Sequence, residues 1–99
     1  MSRRNIIGSA VVKRRFELGL TQDQLAARMQ CHRFEVSREM VSNVESGRTR
    51  ASDYFLMGLQ MAFEEPIINF FPKSVQELDA KFAERKKFRG SKTLRPTRR

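Results

Sequence analysis

The sequence predicts an all-α chain: a five-helix domain, one further helix and a basic tail. Three observations carry that expectation. Hydroxyl side chains punctuate the chain as candidate helix starts, at Thr21, Ser37, Ser52 and Ser74, and between these marks the apolar residues return every three or four positions. Alternating apolar and polar runs rich in Val, Ile and Thr are missing, as are the Asn-Gly and Asp-Gly signals of tight hairpins. Ninety-nine residues, 39% of them hydrophobic, are enough for one small core.

Residues 1–5, Met-Ser-Arg-Arg-Asn, read as a short, flexible basic arm in which Ser2 or Asn5 can cap the first helix. From about Ile6 to Leu18, Ile7, Val11, Arg14 or Arg15, and Leu18 recur at helical spacing, and Gly19 followed by Leu20 reads as a stop with its hydrophobic contact. A second helix opens at Thr21, where Gln24 three residues on completes a capping box and Leu20 can staple onto Leu25. The stretch Gln30 to Glu35 is longer than a tight helix–helix turn. Phe34 is expected to fold back onto the domain edge. This length reads either as a tolerated surface insertion or as a way for His32 and Arg33 to reach a nucleic-acid backbone.

Ser37 caps a third helix, with Val36 stapled against Val41, and Gly47 supplies a left-handed stop. Ser52 opens a fourth, running to about Phe63 with Phe55, Leu56, Leu59 and Phe63 as its apolar stripe. A short fifth helix, Ile67 to Phe71, lies between Pro66 and Pro72. Ser74 and Glu77 form another capping box for a sixth, to about Lys87, in which Val75, Leu78 and Phe82 share a narrow face. From Gly90 onward apolar periodicity stops, so the tail is expected to be disordered. The expected organisation is an arm (1–5), a domain (6–73), a C-terminal helix (74–88) and a basic tail (89–99).

Net charge is +9, but residues 85–99 hold eight basic side chains and no acid; the first 84 residues carry twelve basic against eleven acidic, only +1. The basic balance therefore describes the tail more than the domain and is by itself a weak argument for DNA. The single cysteine, Cys31, cannot form an internal disulfide, and neither a secretory leader nor a membrane-spanning apolar run is present, so a reducing cytoplasm, close to the nucleoid, is the expected setting and no membrane partner is expected. One Cys and one His fall short of the ligands that structural zinc needs. No metal or cofactor is expected. The lone His32 has no nucleophile partner and no Gly-rich phosphate loop occurs, which argues against an enzyme; Glu64-Glu65 reads as solvated charge at a helix end.

At about 100° per residue, Val41 and Val44 face inward while Arg38, Glu39, Ser42, Asn43 and Ser46 share the other side of the third helix. Any surface helix has a polar face. A capped helix immediately upstream turns that face into a candidate nucleic-acid reader.

With those residues laid out, the segment from about Val12 to Phe71 resembles the phage-repressor-like helix-turn-helix family, the Cro and CI or Xre type of bacterial and viral transcription regulators with a lambda-repressor-like fold. The matching stretches are residues 15–26 (RFELGLTQDQLA) and 37–48 (SREMVSNVESGR); residues 50–56 (RASDYFL) resemble the fourth-helix opening of the subset with a long central turn. The resemblance implies an ion pair between Arg15 and Glu45 tying the first helix to the third. It also implies that Arg38, Glu39, Ser42 and Asn43 lie over base edges in the major groove, with phosphate contacts from Gln22, Ser37, Arg48 and Thr49. The chemistry suits this: Arg38 for guanine, Asn43 for adenine, Glu39 for cytosine or simply holding Arg38. Met40 reads either as a thymine-methyl contact or as tucked against the turn.

The first expectation is thus a sequence-specific double-stranded DNA-binding regulator, a repressor working as a homodimer. A protein-interaction module, such as an antitoxin or phage accessory protein gripping a partner through residues 74–99, is the alternative from another class. RNA association through the basic tail, Lys86-Lys87-Phe88-Arg89, is a third.

Overall fold

The computed structural model describes residues 3–93, and side chains as far as Arg85. The helices are α1 (Gly8–Glu17), α2 (Gln22–Cys31), α3 (Arg38–Glu45), α4 (Asp53–Phe63) and α5 (Lys73–Thr93). A single 3-10 turn, Ile67–Phe70, stands where the sequence predicts a fifth α-helix. Among the described residues there are no strands.

Local chemistry sets most of the boundaries. Thr21 Oγ1 accepts from the Gln24 N–H at 3.0 Å while Gln24 Oε1 accepts from the Thr21 N–H at 2.8 Å, the reciprocal capping box that starts α2. Ser37 and Ser52 cap α3 and α4 by accepting from the N–H groups of Met40 (3.1 Å) and Phe55 (3.0 Å). Each satisfies one of the amides that a helix start leaves unpaired. The C-terminal stops share one geometry. A left-handed residue follows α1 (Gly19, φ 68°) and α3 (Gly47, φ 77°), and the next amide reaches back to Arg15 O or Asn43 O.

Three details differ from the sequence reading. The Ser74–Glu77 box does not open α5. That helix begins at Lys73, with the Val75 and Gln76 amides donating to Pro72 O at 2.9 and 3.0 Å, and it is the Gln76 side chain that reaches back, to Phe71 O at 2.8 Å. Proline has already ended the preceding turn and leaves its carbonyl aligned for the new helix. The helix also continues past residue 88 to Thr93; the rest of the expected tail, 94–99, lies outside the described residues. Finally, the arm is not free from Arg3 onward: Arg4 N–H donates to Gly47 O at 2.9 Å, and Asn5 caps the α1 end by accepting from the Ile7 and Gly8 amides at 3.1 and 2.8 Å.

The core lies where α1 to α4 meet, with Val11, Leu25, Met29, Val41 and Leu59 fully enclosed and Phe55, Phe63 and Phe70 closing it. α2 packs against both α3 and α4, and α1 lies on α3. The approach of α1 to α3 is close: a methyl group at Gly8 would lie 2.5 Å from Val44 O and 2.8 Å from Glu45 O. A backbone carbonyl cannot rotate away as a side chain can, so glycine is required there.

The long α2–α3 connection is packed down. Arg33 takes the left-handed conformation (φ 70°) that ends α2, its N–H donating to Gln30 O at 2.8 Å, and the Phe34 N–H donates to Met29 O at 3.0 Å. Phe34 is half-buried against the core, its ring 5.0 Å from that of Tyr54 and beside Gly58 of α4. The Tyr54 hydroxyl accepts from the Glu35 N–H at 2.8 Å and donates to Arg33 O at 3.3 Å. The added length thus docks on α4.

Candidate nucleic-acid interface

α3 enters the core through Val41 and Val44, buries Glu45 beside them, and turns Arg38, Glu39, Met40, Ser42 and Asn43 toward the other side. Arg38 and Glu39 are exposed, Ser42 and Asn43 half-buried, and Met40 is 40% exposed, so it does not tuck against the turn. Two of these side chains have neighbours of their own. Arg38 Nε lies 4.0 Å from Asp23 Oδ1, on the first turn of α2, so the carboxylate nearest Arg38 is Asp23 and not Glu39. Asn43 Oδ1 accepts from Arg48 Nη1 at 3.3 Å, which aligns a side chain of the outward face with one just beyond the helix end.

What holds α3 at this angle is charge buried in one place. Arg15 of α1 and Glu45 of α3, each only 7% exposed, meet as a two-point fork: Nε to Oε2 at 2.7 Å and Nη2 to Oε1 at 2.9 Å. The third arginine nitrogen donates to Leu20 O at 2.9 Å. Hydrogen bonding to Glu45 raises the Arg15 pKa above its ordinary value against the opposing effect of burial, so the guanidinium stays charged. Gln22 joins the same network, its Nε2 donating to Glu45 Oε1 at 2.9 Å. The sequence reading makes Gln22 an exposed phosphate ligand. The structure leaves it half-buried, with one of its two side-chain N–H groups given to Glu45; the other, and its main-chain N–H in the first turn of α2, have no protein partner among the described residues.

Ser37, Arg48 and Thr49 are exposed at the two ends of α3. A concavity of about 530 Å³ lies between the end of α1 and the starts of α2 and α3, lined by Phe16, Leu20, Thr21, Gln22, Asp23 and Arg38. Gln22 and Asp23 of the first turn of α2, whose amides the Thr21 cap leaves open, and Arg38 at the start of α3 line this same concavity.

The HTH_3 helix-turn-helix family model matches residues 13–67, from α1 to the 3-10 turn. The chain belongs to this family. HTH_3 is the Cro/CI-type, Xre class of helix-turn-helix, a DNA-binding and typically non-enzymatic family, so the domain is a DNA-binding one. No curated protein and no solved structure matches the chain. No helix among the described residues is long and apolar enough to cross a membrane. The family match stops short of both Arg3–Asn5 and α5.

Sequence reasoning missed three side chains of this region: Asp23, Tyr54 and the far end of Asn5. Asp23 carried one signal, an acid in the first turn of a helix. Nothing local showed that the start of α3 would come within reach of it. Asn5 was legible as a cap, but its Nδ2 also donates to Val44 O at 3.0 Å and to Thr49 O at 2.8 Å, contacts with residues distant in the chain.

Proposed function

We propose that this HTH_3 protein is a sequence-specific regulator of transcription that binds double-stranded DNA with α3 in the major groove. Arg38, Glu39, Ser42 and Asn43 read base edges; the Gln22 amide, Ser37, Arg48 and Thr49 hold phosphates. The observation that carries this reading is the outward polar side of α3, fixed in orientation by the buried Arg15–Glu45 fork. A helix so anchored needs no reorientation of its backbone on binding, which favours discrimination between sequences over loose attachment. Its action is repression, which needs only occupancy of the site.

The protein works as a homodimer on a two-fold-symmetric site. Supporting that, α5 packs mainly against the 3-10 turn and leaves Leu78 and Phe82 65% and 62% exposed, an apolar face that association would cover. Two copies would set their α3 helices about 34 Å apart, one turn of DNA. The same exposed pair is what favours the second reading, in which α5 grips a different protein.

Selection of binding sites from random duplex DNA by the full chain tests the proposal. Enrichment of one site with two-fold symmetry is expected. Recovery of unrelated sequences, with affinity set by salt alone, would mean that the chain attaches to DNA without reading it.

A further inference from the structure

We propose that Arg3–Asn5 is part of the DNA interface, with Arg4 supplying a phosphate contact beside Arg48. The inference rests on the DNA-binding reading of α3 and extends it to a segment that the family match leaves outside.

Three tethers hold the segment against the C-terminal end of α3. Arg4 N–H donates to Gly47 O at 2.9 Å, Arg3 Nη2 donates to Glu45 O at 2.8 Å, and Asn5 Nδ2 bridges Val44 O and Thr49 O. Asn5 is used at both ends of its amide, since Oδ1 also accepts the two amides that open α1. An aspartate has no donor for the carbonyls and a serine is too short to span both sets, so the side chain fixes where the segment lies. Arg3 covers Gly47 closely enough that a methyl group there would meet its guanidinium at 2.9 Å.

This arrangement gathers cations without acids. Arg3, Arg4, Arg48 and Arg50 are all exposed at this end of α3, and among the described residues none of them has a carboxylate within 4.0 Å, whereas Arg14, Arg15 and Arg38 each do. Arg3 is spent in part on the negative end of the α3 macrodipole, which would otherwise repel a phosphate at this position. Arg4 is held by its main chain, so its guanidinium is left for another partner. Like charges brought together by tethers raise the local potential, and a phosphodiester oxygen pair is the acceptor that a planar guanidinium matches.

The experiment measures the affinity of the full chain for its selected duplex and for a random duplex, from about 50 to 200 mM salt. It compares the unaltered protein with Arg4→Ala and with Lys81→Ala, which removes the same charge from α5. Arg4→Ala is expected to weaken both duplexes by the same factor and to flatten the plot of log affinity against log salt by about 0.9 for each bound copy, about 1.8 for a dimer, with its melting temperature unchanged. Lys81→Ala is expected to keep the original slope. An unchanged slope in Arg4→Ala overturns the inference, as does equal flattening by Lys81→Ala or a loss accompanied by a lower melting temperature. If the unaltered chain binds no duplex at all, the DNA reading and this extension fall together; every other failure touches the extension alone.

Discussion

Glu45 accepts hydrogen bonds from Arg15 on α1 and from Gln22 on α2 while sitting on α3, so one carboxylate joins three helices. Two charges taken out of water are costly, and their attraction in the fork largely offsets rather than exceeds that cost. Removing one partner is different, because the other stays buried and uncompensated. Glu45→Gln keeps the shape but not the charge, and is expected to lower stability by about 3 to 5 kcal/mol, read by urea unfolding. A loss under about 1 kcal/mol would place the pair effectively in solvent. The basic half adds no pH dependence in the working range. A pKa raised in the folded state gives stability that is fully present below the ordinary arginine value and lost only on titration far above the working range. At this scale the sequence was informative where chemistry is local. The capping box of Thr21 and Gln24 could be read from spacing alone, and the identity of the Arg15–Glu45 pair came only through resemblance. The second role of Asn5 was illegible, because it depends on which carbonyls the fold brings near.

The boundaries of α1, α2, α3 and α4 depend on side chains within a few residues of each end, which is why starts could be placed at Thr21, Ser37 and Ser52. Glycine marked the stops of α1 and α3 for the same reason. Where a non-glycine takes the left-handed position the signal vanishes, and this happens after α2 and α4, at Arg33 (φ 70°) and Glu64 (φ 55°). An L side chain costs roughly 1 to 2 kcal/mol in that conformation, partly regained in the unfolded chain because glycine there is freer. Arg33→Gly is therefore expected to stabilise the protein by about 0.5 to 1 kcal/mol, seen as a raised urea midpoint with an unchanged slope. Destabilisation would show that the Arg33 side chain contributes to packing of the turn. The docking of that turn on Tyr54 and Gly58 was hidden, since a glycine inside α4 reads as a weak helix residue and not as a seat for Phe34.

For the whole molecule, the arrangement amounts to α3 held at its start by Ser37, along its length by Val41 and Val44, and at its end by Glu45 and the Arg3–Asn5 segment. The helical class and the order of elements were legible because periodicity and caps agree along the chain. The net charge was not a guide to the interface, since most of the excess lies beyond residue 84 while the arginines around α3 are few and specifically placed. Base reading by α3 and phosphate holding by its flanks, the two roles proposed above, separate in one measurement. Affinities of Asn43→Ala and Arg48→Ala would be compared on the selected duplex and on its single-base-pair variants. Asn43→Ala is expected to lose about 1 to 3 kcal/mol on the selected site and to tolerate every base pair at one position, while Arg48→Ala weakens all the duplexes by one common factor. Uniform weakening by both substitutions, with no position relaxed, would contradict base reading by α3.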